Sequence, residues 1–98
     1  MTIRILASAI QDLRAGKEFY DRQELGIGDY FQHCLFSDID SLALYAGIHR
    51  KVYGYHRLLS KRFPYAIYYR VESDETVLVY RVLDCRRDPE RIRKELGH

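Results

Sequence analysis

Two apolar runs in the C-terminal half of the chain, residues 63–72 and 76–83, are the strongest feature of its hydrophobic pattern. β-Branched and aromatic side chains fill both runs, and such side chains favour a pleated, half-buried surface. The polar residues 73–75 between them include a Ser and an Asp, which readily bond to their own backbone in turns. The pattern therefore predicts a β-hairpin. Because the runs are mostly apolar rather than alternating, we expect it in the middle of a sheet, with Pro64 at the start of its first strand.

The N-terminal part of the chain predicts a strand followed by a helix. Residues 2–7 alternate loosely between apolar and polar side chains, and Arg4 interrupts them, so we expect an edge strand. Ser8 is suited to cap the next helix, and the glycines at positions 26 and 28 are suited to end it. The apolar face of this helix is expected to consist of Ile10, Leu13, Phe19 and Tyr20.

A second helix is predicted from Asp29, which is suited to cap it, to Gly47. Its apolar residues are spaced for one buried stripe, which consists of Phe31, Leu35, Ile39, Leu42 and Ala46. Two helices joined by a short Gly-x-Gly segment are typical of an antiparallel helical hairpin.

The remaining pattern completes an α+β domain. Residues 53–59 predict another strand, and Asp88 followed by Pro89 and an acid is typical of a helix start. Ile92 and Leu96 are spaced to dock this short helix on the core. The predicted order is strand, helix, helix, strand, strand, strand, short helix, with the helical hairpin on one face of a small, mostly antiparallel sheet. We expect residues 1–98 to form one domain.

Composition indicates an ordinary globular protein without export or membrane signals. The apolar share is 47% and the charged share 31%. No apolar run approaches the roughly 18 residues of a transmembrane helix, and the N-terminus lacks the pattern of a signal peptide. Two cysteines do not make a disulfide framework. We therefore expect a cytoplasmic protein that does not bind membranes.

The formal net charge of +2 hides an uneven distribution of charge along the chain. Residues 1–40 carry a net charge of −3 and residues 72–98 a net charge of −1. Residues 41–71, which we call the basic segment, carry six Lys or Arg and no Asp or Glu. Such a segment suits an anionic partner, either nucleic acid or an acidic peptide. A solvated rim with unbalanced charge explains the same composition, and both explanations remain open at this point.

Residues suited to metal binding or nucleophilic chemistry are few. His33 and Cys34 are neighbours on a predicted helix and point about 100° apart. No other His or Cys lies at ligand spacing, so we expect no metal and no cofactor. Cys34 is expected to be a small core residue. Cys85 lies beside two arginines, which favour a lowered thiol pKa, although a structural role at a strand end is the favoured interpretation.

A set of basic side chains at or near strand ends is accompanied by many tyrosines. Its members are His56, Arg57, Lys61, Arg62, Arg86 and Arg87. Such a set is suited to clamp phosphates and to stack on bases. It is equally suited to hold an acidic segment of a protein partner.

Two segments of the chain carry a resemblance to a known family. Phe-Pro-Tyr-Ala-Ile-Tyr-Tyr-Arg-Val at 63–71, and residues 79–89 ending in Arg-Arg-Asp-Pro, resemble the signature of RelE/ParE-family toxins. The family's helical spacing is also present, at Asp12-Leu13, Phe19-Tyr20, Gln23, residues 26–28 and Phe31. These proteins are the toxins of bacterial type II toxin-antitoxin modules and are often labelled plasmid stabilisation proteins. The resemblance covers nearly the whole chain.

The resemblance implies a small sheet with a helical hairpin against it and a cognate antitoxin. The antitoxin's C-terminal segment usually wraps the toxin, and the two together repress their operon. Homodimers and toxin-antitoxin heterotetramers are both compatible with it. RelE-type members cut mRNA on the ribosome, whereas ParE-type members poison DNA gyrase, so the implied targets are ribosome-bound mRNA or gyrase.

The nuclease pattern of the RelE-type members is only partly present. In this pattern, basic residues occupy positions 57, 59, 66 and 86, and a tyrosine near position 92 acts as general acid or base. Only Arg57 and Arg86 match, because the other three positions hold Leu59, Ala66 and Ile92. His56, one residue before Arg57, is the candidate to replace the missing base, since imidazole commonly serves as a general base. We therefore expect a ParE-like toxin that acts by binding, with a RelE-like endoribonuclease using His56, Arg57 and Arg86 as the alternative.

The resemblance and the charge pattern together predict the residues that contact the target or the antitoxin. These are Arg57, Lys61, Arg62, Arg70, Arg86 and Arg87.

Overall fold

The computed structural model describes residues 1–97, which form a five-stranded sheet with helices on both faces. The strands are β1 Thr2–Ile5, β2 Lys51–Val52, β3 Tyr55–Leu59, β4 Tyr65–Val71 and β5 Thr76–Asp84. The helices are α1 Ala7–Gln23, α2 Ile27–Asp40, α3 Leu42–Tyr45 and α4 Pro89–Glu95. The strand order is β1-β5-β4-β3-β2, with β1 parallel to β5 and the other pairs antiparallel. The predicted α+β class and the mostly antiparallel sheet are confirmed.

The β4–β5 hairpin occupies the second and third positions of the sheet, as predicted. In its turn the Asp74 carboxylate accepts a hydrogen bond from the Thr76 amide at 3.1 Å. Five consecutive residues of β4, Tyr65 to Tyr69, are buried, which explains why this strand reads as a continuous apolar run. The register shifts between Tyr68 and Tyr69. β1 lies at the sheet edge, also as predicted.

The helical hairpin packs against one face of the sheet, and the predicted apolar face of α1 is confirmed for Leu13 and Tyr20 but not for Ile10 and Phe19. The buried residues of α1 are Ala9, Leu13, Gly16 and Tyr20. Ile10 and Phe19 are 39% and 40% exposed, so their assignment to the core was wrong. The small residues Ala9 and Gly16 let α2 approach closely: a Cβ on Gly16 would lie 2.5 Å from the Phe31 ring. Hydrophobicity alone gave no signal for a glycine in the core.

The predicted starts of both hairpin helices were wrong. The N-cap of α1 is Leu6, and the Ser8 hydroxyl instead donates to the Tyr80 carbonyl at 2.7 Å. α2 begins at Ile27 rather than after Asp29, with Gly26 at φ 93° before it.

Gly28 lies inside α2 and so does not end α1. Its amide donates to the Asp21 carboxylate at 2.8 Å, and a Cβ there would lie 2.4 Å from the Lys17 carbonyl oxygen. The Gly-x-Gly spacing therefore serves a close contact between the two helices as well as the turn.

The second predicted helix is divided at Ser41 into α2 and the short α3. Its predicted stripe is confirmed where α2 and α3 face the sheet, because Phe31, Leu35, Ile39 and Leu42 are each at most 1% exposed. The predicted strand over residues 53–59 begins only at Tyr55.

Tyr53 and Gly54 form the turn of a short β2–β3 hairpin that the sequence pattern did not predict. Both residues have positive φ angles, 53° and 82°, and a two-residue strand leaves almost no periodic signal.

α4 covers the opposite face of the sheet. The Asp88 carboxylate caps it by accepting from the Glu90 amide, and a proline opens the helix, as predicted. Leu96 belongs to a second core cluster with Tyr55, Ala66, Tyr68 and Leu83, against which Ile92 packs. The predicted docking of this helix through Ile92 and Leu96 is therefore confirmed.

Candidate functional site

The basic segment keeps its charge uncompensated in the folded protein. Within residues 1–97, no carboxylate lies at ion-pair distance from any of its six cations, which are Arg50, Lys51, Arg57, Lys61, Arg62 and Arg70. By contrast, five arginines in the C-terminal segment each pair with a carboxylate: Arg81, Arg86, Arg87, Arg91 and Arg93. The unbalanced charge of the sequence is thus a property of the surface as well.

His56 and Arg57 lie on opposite faces of the sheet, because side chains alternate along a strand. His56 pairs with Tyr69 across β3 and β4 and stacks on its ring at 5.1 Å, on the face of the helical hairpin. Its Nδ1 donates to the His49 carbonyl at 2.6 Å. Arg57 pairs with Tyr68, whose side chain belongs to the core cluster beneath α4.

Arg57 contacts the hydroxyl of Tyr68, which opposes the rise in pKa that burial causes there. Its charge also acts on the Cys85 thiol. Arg57 therefore lies on the α4 side of the sheet, close to where β5 ends.

Arg86 lies in the turn after β5, and its guanidinium is bound by Asp84, the last residue of that strand. Its guanidinium donates two hydrogen bonds to Asp84, at 2.9 and 2.7 Å, and lowers the pKa of that carboxyl. The charge of Arg86 also acts on the Tyr20 and Tyr65 hydroxyls, on the hairpin side of the sheet. Burial raises the pKa of Tyr65 to about 12, so this phenol stays protonated. Asp84 lines a pocket with Gly16 and Phe19 of α1, so Arg86 is held on the hairpin side of the sheet, whereas Arg57 lies on the α4 side.

Apolar side chains occupy the positions at which the pattern of RelE-like nucleases has further polar groups. Ala66 is fully buried in the cluster under α4, and Ile92 packs against the same cluster. Leu59 is 54% exposed but carries no charge. The structure does not gather His56, Arg57 and Arg86 around one common point.

Arg70 and Arg87 are oriented by neighbouring side chains. The Arg70 guanidinium lies 4.3 Å from the centre of the Tyr55 ring and 5.4 Å from that of Tyr80. Such cation–π contacts orient an exposed arginine without neutralising it. Arg87 lies 3.8 Å from a carboxylate oxygen of Glu95 and therefore connects the end of β5 to α4.

Lys61 and Arg62 lie on the β3–β4 loop and line a groove of about 540 Å³ against α2. The groove's floor contains Asp38, a buried carboxylate at the end of α2. Asp38 accepts from the Ser60 hydroxyl at 2.7 Å and from the Lys61 amide at 3.4 Å. These bonds fix the loop so that the Lys61 and Arg62 side chains face the polar surface of α2.

The two cysteines differ in their surroundings. Cys34 is 9% exposed and packs in the main core, as predicted. Cys85 follows directly after β5, and burial raises the pKa of its thiol while Arg57 opposes the rise only in part, which favours the structural interpretation over a reactive thiol. Arg86 and Arg87 act instead on carboxylates. Among residues 1–97, no group of three or more His, Cys, Asp and Glu is placed to hold a metal ion.

Two polar clusters were not found from the sequence. Arg81 donates to Asp12 of α1 at 2.7 and 2.9 Å and lies 2.7 Å from Glu95, at the end of α4. Its partners are far away in the chain, so no local spacing signalled them.

The second cluster surrounds the Tyr69 hydroxyl, which accepts from the Gly47 amide at 2.9 Å and contacts His49 Nδ1. It holds the segment after α3 against the central strand. Burial, with a smaller effect of His56, lowers the pKa of His49.

Comparison with known proteins places this chain in a defined class, the small toxins with a mixed sheet and a helical hairpin. The sequence model of the ParE toxin family, toxins of the parDE type II toxin-antitoxin system, matches residues 3–89. The chain therefore belongs to the ParE toxin family.

A solved structure described as a chromosomal ParDE toxin-antitoxin system from P. aeruginosa is similar in fold. The TM-score is 0.76 with 21% sequence identity, over 84% of this chain and 92% of that one. No curated protein sequence matches the chain. Of the helices within residues 1–97, none has the length and apolar character needed to cross a membrane.

Proposed function

We propose that this ParE-family toxin stops growth by binding a cellular protein target, DNA gyrase, and that a cognate antitoxin neutralises it. Family membership supports a role as the toxin of a type II toxin-antitoxin module. The observation that favours binding over RNA cleavage is the separation of His56 and Arg57 onto opposite faces of the sheet. A general base and a phosphate clamp must converge on one scissile bond, and these two side chains diverge.

The target-binding surface in this proposal is the end of β5 together with α4. Arg86 and Arg87 lie there, and both are oriented by carboxylates, Asp84 and Glu95. Arginines held in place before binding lose less conformational freedom on contact, which favours their use as interface anchors. The antitoxin contacts the helical hairpin and the basic segment, whose cations have no acidic partner within residues 1–97.

Expression in bacteria tests the module directly. Production of the chain alone is expected to stop growth, and co-production of the small protein encoded beside it is expected to restore growth. The control is an Arg86→Ala, Arg87→Ala variant produced to the same level, which should be less toxic. Unimpaired growth at verified levels of soluble wild-type protein would argue against an active toxin.

The alternative function, ribosome-dependent mRNA cleavage, rests on the two residues that match the nuclease pattern, Arg57 and Arg86, with His56 as the base. It requires a rearrangement that brings these groups together on the ribosome. Cleavage of mRNA in a translation reaction is its direct measurement.

A further inference from the structure

The groove between α2 and the β3–β4 loop presents hydrogen-bonding groups along one stripe of the helix. Tyr30, His33, Ser37 and Ser41 recur every three to four residues and therefore lie on the same side of α2. Lys61 and Arg62 form the facing wall. From Tyr30 to Ser41 the stripe is about 16 Å long, given the rise of an α-helix.

Several of these side chains make no hydrogen bond or ion pair with other residues in 1–97. The Tyr30 and Ser37 hydroxyls and the His33 ring make no hydrogen bond there, and Lys61 and Arg62 make no ion pair. Asp38 does not neutralise the loop cations, because its carboxylate accepts from the Ser60 hydroxyl and from the Lys61 backbone amide. The groove thus offers two cations and a row of polar groups to a ligand.

We propose that this groove binds an acidic peptide segment of a partner protein, with carboxylates at Lys61 and Arg62 and further hydrogen bonds along the α2 stripe. The inference rests on the proposed function, in which the partner is the antitoxin. It adds the chemistry of the bound segment and its location. It also removes Arg57 from this contact, because Arg57 lies on the other face of the sheet.

The acids of α2 favour a peptide over nucleic acid. Asp38 lies in the groove and Asp40 is exposed at the end of the same helix. A phosphate backbone carries a charge at every nucleotide and would bring several of them close to these carboxylates. A peptide with one or two acids placed opposite Lys61 and Arg62 avoids that repulsion, and like-charge contacts are costly at interfaces.

Charge reversal tests the groove. Lys61→Glu with Arg62→Glu should weaken the complex with the small protein encoded beside this chain by about tenfold or more and flatten its salt dependence. The control, Arg4→Glu, reverses an exposed charge on β1, away from both the groove and α4, and should leave the affinity unchanged. Isothermal titration calorimetry at two salt concentrations measures both. If the glutamate variant is poorly folded, Lys61→Gln with Arg62→Gln replaces it.

A second measurement does not depend on the antitoxin. A synthetic Glu-rich peptide of about 12 residues, which spans the stripe if it is helical, is titrated into the labelled toxin while amide NMR shifts are recorded. A dT oligonucleotide of equal charge is titrated in parallel. The peptide is expected to shift the amides of Ser37, Ser41, Lys61 and Arg62, and these shifts should disappear in the charge-reversed variant.

The outcomes distinguish a failure of the inference about the groove from a failure of the proposed function. If the peptide maps to the groove but the neighbouring protein neither binds nor restores growth, the proposed function fails and the groove's chemistry stands. If the neighbouring protein binds and charge reversal leaves its affinity and salt dependence unchanged, the inference about the groove is overturned. Peptide shifts confined to other surfaces, or tighter binding of the dT oligonucleotide in the groove, overturn it as well.

Discussion

Arg81 is the residue that joins three elements of the fold. Its guanidinium pairs with Asp12 of α1 and with Glu95 of α4, while Asp12 also accepts from the Val82 amide at 2.9 Å. The Asp12 and Arg81 side chains are only 13% and 21% exposed. Removing the cation therefore leaves a largely buried carboxylate with one backbone partner.

We expect Arg81→Met to lower the free energy of unfolding by about 2 to 4 kcal/mol, since breaking a buried pair from one side is costly. The control is Arg91→Met, which removes an exposed contact 4.0 Å from the same Glu95. Exposed pairs contribute about 0 to 1 kcal/mol, so this change should have little effect. Urea denaturation followed by circular dichroism measures both variants. Equal losses of unfolding free energy in the two variants would show that the Asp12–Arg81 pair contributes no more than an exposed ion pair.

Gly16 provides a second test at the scale of one residue. Alanine normally stabilises a helix relative to glycine by about 1 kcal/mol. Here the added methyl group would lie 2.5 Å from the Phe31 ring, so we expect Gly16→Ala to destabilise the fold by about 1 to 3 kcal/mol. Gln11→Ala, on the exposed side of α1, is the control. A rise in melting temperature for Gly16→Ala would contradict the close approach of α1 and α2.

At the scale of elements, the segment between α3 and β2 is tied to the sheet through His49 and Tyr69. His56 stacks on Tyr69 and donates to the His49 carbonyl, and Lys51 pairs with His56 across β2 and β3. Lys51, Arg70 and Glu72 line the same pocket as His56. Burial, followed by the neighbouring His56, opposes protonation of His49.

The pKa of His49 is lower in the folded protein than its ordinary value of about 6.5, because burial disfavours the cation. The unfolded chain therefore binds the proton more readily. The contribution of neutral His49 to stability is fully present above its unfolded pKa of about 6.5 and is lost progressively as the pH falls below that value. Asp21, Asp74 and Asp84 have lowered pKa values, so their contributions are lost only in more acidic solution, as the pH falls through the carboxyl range.

Urea denaturation at several pH values between 5 and 7.5 measures the His49 effect. His49→Gln should flatten the curve in that window and leave the loss at lower pH intact. A wild-type stability that does not change between pH 7.5 and 5 would contradict the assigned environment of His49.

The elements that the sequence predicted best are those with a long and regular pattern. The stripe of α2 repeats over three turns, and the β4–β5 hairpin combines two apolar runs with a polar turn. α4 carries an explicit start in Asp88 and Pro89. The errors share a physical cause: Gly16 and Gly28 are selected for close approach between helices, and Ser8 bonds to a strand rather than capping α1. Such tertiary contacts leave no periodic signal.

The sequence supplied the residues of the candidate site but not their arrangement, and their role stays a prediction. Lys61, Arg62, Arg86 and Arg87 lie in loops after strands, whereas His56 and Arg57 lie within β3. The side chains of His56 and Arg57 point to opposite faces because successive side chains alternate along a strand. This could be predicted only once both residues were known to lie in one strand. Arg86 pairs with Asp84, two residues earlier, because of the shape of the turn after β5. The sequence does not specify the geometry of that turn.

At the scale of the whole molecule, the proposed function assigns the target and the antitoxin to two different surfaces. The groove beside α2 and the end of β5 with α4 are separate surfaces, lined by different residues. A protein that binds a target with one surface and its antitoxin with another can be neutralised by blocking access or by changing the position of α4. In this arrangement the variants at Lys61 and Arg62 should affect neutralisation more than toxicity.

Variants at Arg86 and Arg87 should show the opposite behaviour. Each is expected to weaken target binding by about 1 to 4 kcal/mol, as is typical of interface arginines. Binding of the toxin variants to purified gyrase, followed by surface plasmon resonance, measures this loss. Variants with full gyrase affinity would place the target surface elsewhere on the molecule.

The most direct measurement of the proposed function is a pair of assays with the same purified toxin: translating ribosomes with mRNA, and gyrase with relaxed plasmid. We predict no cleavage of any transcript, and either inhibition of supercoiling or trapping of gyrase on DNA. Site-specific mRNA cuts that disappear with Arg86→Ala, together with unaffected gyrase, would contradict the proposal and establish the endoribonuclease instead.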